Sequence, residues 1–291
     1  MEVNKVSVVR VGDTGAAVKR SVDLISGTGL KGGEDVIIKP NICNAKNPHG
    51  MVITDFGVLK GVVNLVKEAG ASITIVESDN ISGTAYERIE GSGLSQMMRE
   101  WDVPFLNLSQ DDYEEHEVAG NTIKLPKTVL EADYFINVPK IKTCAHTLVT
   151  LSIKNLYGVF QRADKNKLHK HLDDILPYLA EHVPQDLIVV DGITCMQGNG
   201  PVIGTPKALG LVVAGKNTVS VDSVCTSLMG YNPLDVTHIA RSADLGIGEA
   251  DINRIDVVGD DWTSFICEFD KPYSVMATLK SIKSIKDVYL G

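Results

Sequence analysis

Residues 36–76 read VIIKPNICNAKNPHGMVITDFGVLKGVVNLVKEAGASITIV, and this stretch decides the fold. Val36–Lys39 and Ile73–Val76 are short runs rich in β-branched residues, which is typical of strands. Residues 55–69, between them, carry apolar side chains at helical spacing. The stretch therefore predicts a strand, a helix and a second strand, which is the repeating unit of a parallel sheet.

The same alternation continues along the chain. Further strands are predicted at Val6–Val9, Tyr134–Val138, Ile188–Asp191, Leu211–Ala214 and Ile255–Val258, and further helices at about residues 14–26, 84–100, 147–157, 168–183, 218–229 and 235–245. Several strand runs are apolar throughout, as expected of strands covered on both faces. We therefore predict a doubly wound α/β fold, with a mainly parallel sheet and helices on both faces, formed by residues 1–291 as a single domain.

Two segments stand outside this alternation. Residues 102–126 contain a predicted hairpin around Gly120-Asn121 and a run of acidic side chains, so we expect a small, solvated acidic insertion or edge element. Residues 276–291 carry apolar side chains spaced by three, with lysines between them. This pattern predicts a C-terminal amphipathic tail that packs on the parent domain or on a sister subunit.

The composition excludes several classes of function. The 291 residues contain 28 Lys and Arg against 37 Asp and Glu, a formal net charge of −9, which argues against general nucleic-acid binding. No apolar run approaches the roughly 18 residues of a membrane span, and the first residues lack the layout of a signal peptide. The five cysteines are odd in number and form no C-x-x-C pair, so we expect reduced thiols in a cytoplasmic protein.

Polar side chains follow the first strand of the quoted stretch. Lys39 and Asn41 flank Pro40 at the carboxyl end of that strand, the edge at which open α/β sheets bind ligands. Thr54 and Asp55 then open the next helix, with Thr54 as its predicted cap and with free amides available to an anion. We predict that Asn41 and Thr54 bind substrate and that Lys39 takes part in catalysis.

The loop after strand Tyr134–Val138 is the richest in chemistry. On the helix predicted at residues 147–157 and just before it, His146, Thr150 and Lys154 are spaced by four, so they line one face. An imidazole, a hydroxyl and an ammonium on one stripe can transfer protons and hold a carboxylate or a phosphate. We predict His146 and Lys154 as catalytic residues.

The same part of the chain is strongly basic. Residues 139–171 contain seven Lys or Arg against a single acid, Asp164, in a protein that is acidic elsewhere. Such a field would attract and hold a small anion. We predict that Lys140, Lys142 and Asn155 bind the anionic substrate. His169 and His171 diverge on a helix, so each is expected at the surface, although one of them could cap the site.

A glycine-rich loop follows the strand that ends at Asp191. Gly198, Asn199 and Gly200 allow sharp turns that bring backbone amides close to a ligand, so we predict that they bind substrate. Asp222 is an isolated acid among apolar residues, and we expect it to anchor this loop.

Three of the five cysteines share a context. Cys43, Cys144 and Cys195 each lie in a predicted strand-end loop, whereas the other two lie in apolar surroundings. If the loops converge, three thiolates could hold an iron–sulfur cluster with one open iron, or a divalent metal, that acts as a Lewis acid. The alternative is that small residues fill tight loops and that the protein has no metal.

The chain resembles the domain-of-unknown-function 362 family, whose members are often iron–sulfur-associated proteins. The resemblance rests on motifs in the right order over nearly the whole chain: Lys39-Pro40-Asn41, Thr54-Asp55, Asn137-x-Pro139-Lys140-x-Lys142-Thr143, His146, Lys154-Asn155, Gly158, Lys165, His169, Asp191-Gly192, Gly198-Asn199-Gly200-Pro201 and Asp222. It implies an α/β fold and a shared site at these positions, but no known reaction. The family is distantly similar to nickel-dependent lactate racemase, in which a lysine and histidines serve a pincer cofactor.

Two features differ from many members of that family. Their histidine directly follows Lys-Thr, whereas here Cys144 and Ala145 precede His146. Many members also carry an eight-cysteine ferredoxin module, which this sequence lacks, so any cluster must come from scattered cysteines.

Three functions are compatible with these residues. The first is an enzyme that binds an iron–sulfur cluster or metal together with a small anionic substrate. The second is a racemase or isomerase that needs no metal, in which His146 and a lysine exchange a proton next to a carboxylate. The third is a non-catalytic iron–sulfur carrier or scaffold that passes electrons to a redox partner protein.

Overall fold

The structure is a computed structural model that describes residues 4–273, so the predicted amphipathic tail at 276–291 lies outside the described residues. A single large sheet forms its centre. Its ten strands are β1 (Lys5–Arg10), β2 (Asp35–Pro40), β3 (Ser72–Glu77), β4 (Phe105–Asn107), β7 (Tyr134–Val138), β8 (Lys140–Cys144), β9 (Leu148–Thr150), β10 (Leu187–Gln197), β11 (Thr205–Gly215) and β12 (Asp256–Gly259), while β5 (Tyr113–Val118) and β6 (Asn121–Pro126) form a separate hairpin.

The sheet is mixed and mainly parallel, as predicted. Its strand order is β12-β1-β11-β10-β7-β2-β3-β4, and β8 pairs with β10 and β9 beside this path. β11 runs antiparallel to both neighbours and β9 runs antiparallel to β8, whereas the other pairs are parallel. The carboxyl ends of β2, β3 and β7 therefore meet at one edge, and β8 continues from that edge.

Helices cover both faces of the sheet, which confirms the doubly wound α/β fold. They are α1 (Thr14–Leu24), α2 (Phe56–Ala69), α3 (Ala85–Ser92), α4 (Leu94–Trp101), α5 (Lys127–Leu130), α6 (Ser152–Asn155), α7 (Leu172–His182), α8 (Thr218–Leu228) and α9 (Thr237–Asp244). One apolar core lies under α1 to α4, and the other lies under α6 to α9. Neighbouring residues of one strand, such as Ile37 and Ile38 in β2, belong to different cores, which explains the continuous apolar runs.

The N-cap of the second helix lies one residue later than predicted. Asp55, rather than Thr54, is the N-cap, and its carboxylate accepts hydrogen bonds from the backbone N–H groups of Gly57 (2.8 Å) and Val58 (3.3 Å). The Thr54 hydroxyl instead donates to the Val138 carbonyl (2.8 Å). The prediction of Thr54 as a cap is therefore wrong, because its hydroxyl ties two strand ends together.

The acidic segment at 102–126 is partly an edge element, as predicted. β4 adds to the edge of the main sheet, and β5 and β6 form the expected hairpin. The acidic side chains of β5 face solvent. Ile123 and Leu125 of β6 are buried in the core that lies under α6 to α9, so the inner face of the hairpin contributes to packing.

The helix predicted at residues 147–157 is absent. β9 occupies Leu148–Thr150 and pairs with β8, and only the short α6 follows. The turn between β8 and β9 places Leu148 at φ 65°, a conformation that α-helices do not contain. The spacing of His146, Thr150 and Lys154 by four thus does not arise from a helix, although all three side chains still reach one cavity.

None of the helices within residues 4–273 has the length and apolar character required to cross a bilayer.

Candidate functional site

A cavity of about 230 Å³ opens at the carboxyl edge of the sheet. Its walls come from the residues that follow β2 and β3, from β8 and β9, from α6, and from the 3-10 helix Lys165–His171. Eight of the residues predicted from the sequence line it: Lys39, Asn41, Cys43, Lys142, Cys144, His146, Lys154 and Asn155. The segments that follow β2 and β7 therefore meet at this cavity.

Six predicted site residues do not line this cavity: Thr54, Lys140, Cys195, Gly198, Asn199 and Gly200. The glycine-rich loop reaches the cavity through its next residues, Pro201 and Val202. A Cβ on Gly200 would lie 1.9 Å from the Thr143 carbonyl oxygen, so this glycine allows the loop to pack on β8. The Asn199 side chain accepts a hydrogen bond from the Tyr273 N–H (2.9 Å).

The charge of Lys140 is balanced by an ion pair inside the protein. Its ammonium contacts the Asp191 carboxylate at 2.5 Å, and both side chains are fully buried. The same carboxylate accepts hydrogen bonds from the N–H groups of Asp55 (2.7 Å) and Ile193 (3.0 Å). Asp191 thus joins Lys140 of β8 to the start of α2, and Lys140 does not line the cavity.

Lys39 also has an internal partner, but it lies at the cavity wall. Its Nζ is 2.9 Å from Glu77 Oε2, and the Lys39 side chain is fully buried. Burial lowers the pKa of the Lys39 ammonium, and Glu77 opposes this shift. A Cβ on Gly158 would lie 2.7 Å from Lys39 Nζ, so a side chain at this position would displace the ion pair.

Asparagine side chains connect the strand ends behind the cavity. Asn41 donates to Asn155 (2.9 Å), and Asn155 donates to Asn137 (2.7 Å). Lys142 donates to Asn41 Oδ1 and to the Val52 carbonyl, each at 2.7 Å. These contacts use most of the polar groups of Asn41, Asn155 and Lys142, so these residues hold the wall in shape.

Lys154 differs from Lys39 and Lys140 because no carboxylate within residues 4–273 pairs with it. Its Nζ lies 4.0 Å from the centre of the Tyr157 ring. Burial lowers the pKa of the Lys154 ammonium, although the thiols of Cys144 and Cys43 oppose this shift. Burial raises the pKa of the Cys144 thiol, but the Lys154 ammonium and hydrogen bonds from residues 146 and 147 bring that pKa below its ordinary value.

Two histidines meet at the mouth of the cavity. The ring centres of His146 and His169 are 4.2 Å apart. Burial, together with the Lys154 ammonium, lowers the pKa of both imidazoles, and the pKa of His169 falls to about 4. Both rings are therefore neutral at neutral pH and can accept a proton. Of His169 and His171, His169 is thus the histidine that lines the site, as the alternative of a capping histidine allowed.

Sequence reasoning missed two buried cations of the cavity wall. Arg88 of α3 is 1% exposed, and its guanidinium donates to the carbonyls of Ile42 and Ser78. Lys165 is 5% exposed and donates to the Ser78 hydroxyl. Burial lowers the pKa of Lys165 to about 7. The family motif included Lys165 without a role, and the sequence of α3 carries no signal that separates Arg88 from a surface arginine.

Asp222 anchors a different segment from the one predicted. Its carboxylate accepts hydrogen bonds from the N–H groups of Ser152 (2.8 Å) and Ile153 (3.0 Å) and from the Ser152 hydroxyl (2.5 Å). It therefore fixes the start of α6, which carries Lys154 and Asn155. The expected contact with the glycine-rich loop is wrong, because α8 packs against α6.

The part of the chain that forms the cavity matches a known family model. The family model described as domain of unknown function (DUF362) matches residues 36–227. The chain belongs to the DUF362 family. The matched region contains every residue of the cavity wall named above.

A named protein and a solved structure are similar to this chain. A thylakoid-associated protein of Synechocystis sp. is 28% identical over 241 residues, which cover 80% of this chain and 75% of that protein. The solved structure of a lactate racemase apoprotein from Thermoanaerobacterium thermosaccharolyticum is similar with a TM-score of 0.42 and 14% identity. That match covers 77% of this chain and spans 57% of the other chain.

The DUF362 cavity does not fit a cluster held by the three predicted cysteines. Cys43 and Cys144 line the cavity, but Cys195 is fully buried in the apolar core, inside β10 rather than in a loop. Burial raises the pKa of the Cys195 thiol well above its ordinary value. Within residues 4–273, no group of three His, Cys, Asp or Glu side chains is arranged to hold a metal ion. An iron–sulfur or metal cofactor stays a prediction, and no step below involves one.

Proposed function

We propose that this DUF362 protein is an enzyme that binds a small anionic substrate in the cavity and transfers a proton on it, as a racemase or an isomerase acting next to a carboxylate. The observation that carries this proposal is the pair of neutral imidazoles beside a lysine that has no carboxylate partner. One neutral imidazole removes the proton from the carbon next to the carboxylate and becomes an imidazolium. The proton then passes to the other ring, directly or through water, and that ring returns it to the carbon.

The cationic wall supports the same function. Removing such a proton places negative charge on the substrate, and fixed cations near that charge stabilise it in a low-dielectric cavity. Lys154 and His169 line the same cavity, and the Lys154 ammonium contributes to the lowered pKa of that ring. We assign proton transfer to His146 and His169, and stabilisation of the substrate anion to Lys154.

Deuterium exchange tests the proposal even though the product is unidentified. The protein is incubated in D₂O with a panel of 2-hydroxy, 2-amino and phosphorylated carboxylic acids, and loss of the Cα–H signal is followed by proton NMR. Exchange of at least one acid is expected, and His146→Gln and His169→Gln should each abolish it. His171→Gln is the matched control, because His171 lies two residues after His169 and does not line the cavity.

Equal exchange in wild type, His146→Gln and His169→Gln would contradict these roles. Iron and sulfide analysis of anaerobically purified protein separately tests the predicted cofactor, on which the alternative of an electron carrier with a redox partner depends. The predicted cytoplasmic location is part of this proposal and rests on the reduced thiols expected from the cysteine pattern.

A further inference from the structure

We infer that the ligand of this cavity carries two negative charges, and that Lys154 and Lys165 are the ammonium groups that hold it. This inference rests on the proposed function, because it names the charge class of the substrate that the same cavity would take. A phosphoryl group and a dicarboxylate share this chemistry.

The charges of the wall are unbalanced. Among the described residues, Glu77 is the only one with a carboxylate that lines the cavity. Five cationic side chains line it as well: Lys39, Arg88, Lys142, Lys154 and Lys165. Glu77 pairs with Lys39, and Lys142 is surrounded by oxygen acceptors. Besides Lys142, three cations therefore remain without an anionic partner, and a thiolate at Cys144 would offset at most one of them.

Unpartnered polar atoms point to the same conclusion. Buried polar groups are almost always hydrogen-bonded in folded proteins. Within residues 4–273, the few exceptions include Arg88 Nε and Thr150 Oγ1, and both residues line this cavity. Arg88 is otherwise held by two carbonyls that follow β2 and β3. An anion bound in the cavity would supply acceptors where the protein has none.

The charge count favours a dianion over a monoanion. An unpaired buried charge is costly, so a well-fitted ligand neutralises the charges that the protein leaves unpaired. A monoanion would leave at least one cation unpaired even if Cys144 is a thiolate, and a bound dianion would hold Lys165, whose pKa burial lowers to about 7, in its charged form. Within the described residues, the Lys165 ammonium donates to one hydroxyl and lies over the face of Phe160, at 5.1 Å from the ring centre, so it can donate further hydrogen bonds to a ligand.

Isothermal titration calorimetry at neutral pH and constant ionic strength tests the inference, with inorganic phosphate, malonate and acetate as probes. Phosphate or malonate should bind at least about tenfold more tightly than acetate. Preference for phosphate identifies a phosphoryl group, and preference for malonate identifies a dicarboxylate. Equal binding of acetate and both dianions, or binding of acetate alone, would overturn the inference.

A matched pair of variants tests the role of Lys165. Lys165→Met should weaken binding of the preferred dianion by about tenfold or more, since a charge-assisted contact is lost. Lys167→Met is the control, because Lys167 is exposed, pairs with Asp164 and lies on the same 3-10 helix. Unchanged affinity in Lys165→Met would refute the assignment. If that variant fails to fold, Lys165→Arg replaces it and should retain the preference for dianions.

These measurements are independent of turnover. A protein that exchanges Cα–H but binds acetate as tightly as dianions would retain the proposed function and lose this inference. A protein that prefers dianions but exchanges no Cα–H would retain the inference and lose the proposed reaction.

Discussion

Replacement of Lys140 by Met distinguishes a structural lysine from a ligand-binding one. The sequence predicts that Lys140 binds the anion, but its ammonium contacts Asp191 at 2.5 Å in a pair that is fully buried. Removing one partner of a buried ion pair typically costs about 3–5 kcal/mol, because the other charge stays buried. Asp191 keeps two backbone N–H donors, so we expect the lower end, about 3 kcal/mol, in the free energy of unfolding.

Urea unfolding followed by circular dichroism measures this change. The midpoint should fall while the slope of the transition stays constant, because the surface exposed on unfolding is unchanged. In a double-mutant cycle, Lys140→Met/Asp191→Asn should be more stable than Lys140→Met alone, since the buried carboxylate is no longer charged. Dianion affinity, measured by calorimetry on folded protein, should stay within about threefold of wild type.

The opposite pattern would refute the reasoning. If Lys140→Met keeps wild-type stability and loses about tenfold or more in dianion affinity, then Lys140 faces the ligand as the sequence suggested. The comparison with Lys165→Met, for which a loss of affinity is expected, makes the two outcomes separable.

Three further predictions concern single groups. Gly158→Ala should lower the free energy of unfolding by about 1–3 kcal/mol in urea unfolding, because the new methyl would approach Lys39 Nζ to 2.7 Å; wild-type stability would contradict the close packing. Burial raises the pKa of Asp222 to about 7, above the ordinary value of about 3.9, so its contribution to stability should fall as the pH rises from about 4 to 7, and the stability difference between wild type and Asp222→Asn should shrink over that range. The pKa of His169 is lowered to about 4, so its imidazole signal should titrate near pH 4 by NMR and stability should fall as the pH drops from about 6.5 to 4; titration near pH 6.5 would place the ring in water.

The strands could be predicted from the sequence because the apolar composition of each short segment indicates that it is buried. Val36–Lys39 and Ile73–Val76 are apolar on both faces, and both lie inside the sheet. The error at residues 147–157 has a non-local cause. β9 exists because it pairs with β8, and α6 begins where it does because Asp222, distant in the sequence, accepts its first N–H groups.

The position of Cys195 shows the same limit. The predicted strand ends at Asp191, which places this cysteine in a loop, but pairing with β11 extends β10 to Gln197. Cys195 then faces the apolar core. The sequence could locate the loops that converge, but it could not show which of their side chains turn toward the cavity.

The lysines of the site also differ in what their side chains contact. This difference explains how several buried cations coexist. Lys39 and Lys140 have carboxylate partners, and Lys142 has carbonyl and amide oxygens. These contacts link strand ends that are far apart in the sequence, so the neutralised lysines make the wall rigid. A rigid wall can keep Lys154 and Lys165 in place although no carboxylate pairs with either, and their charges then act as a preorganised field for the anion. Replacing a neutralised lysine should therefore reduce stability first, whereas replacing an unpaired lysine should reduce affinity first.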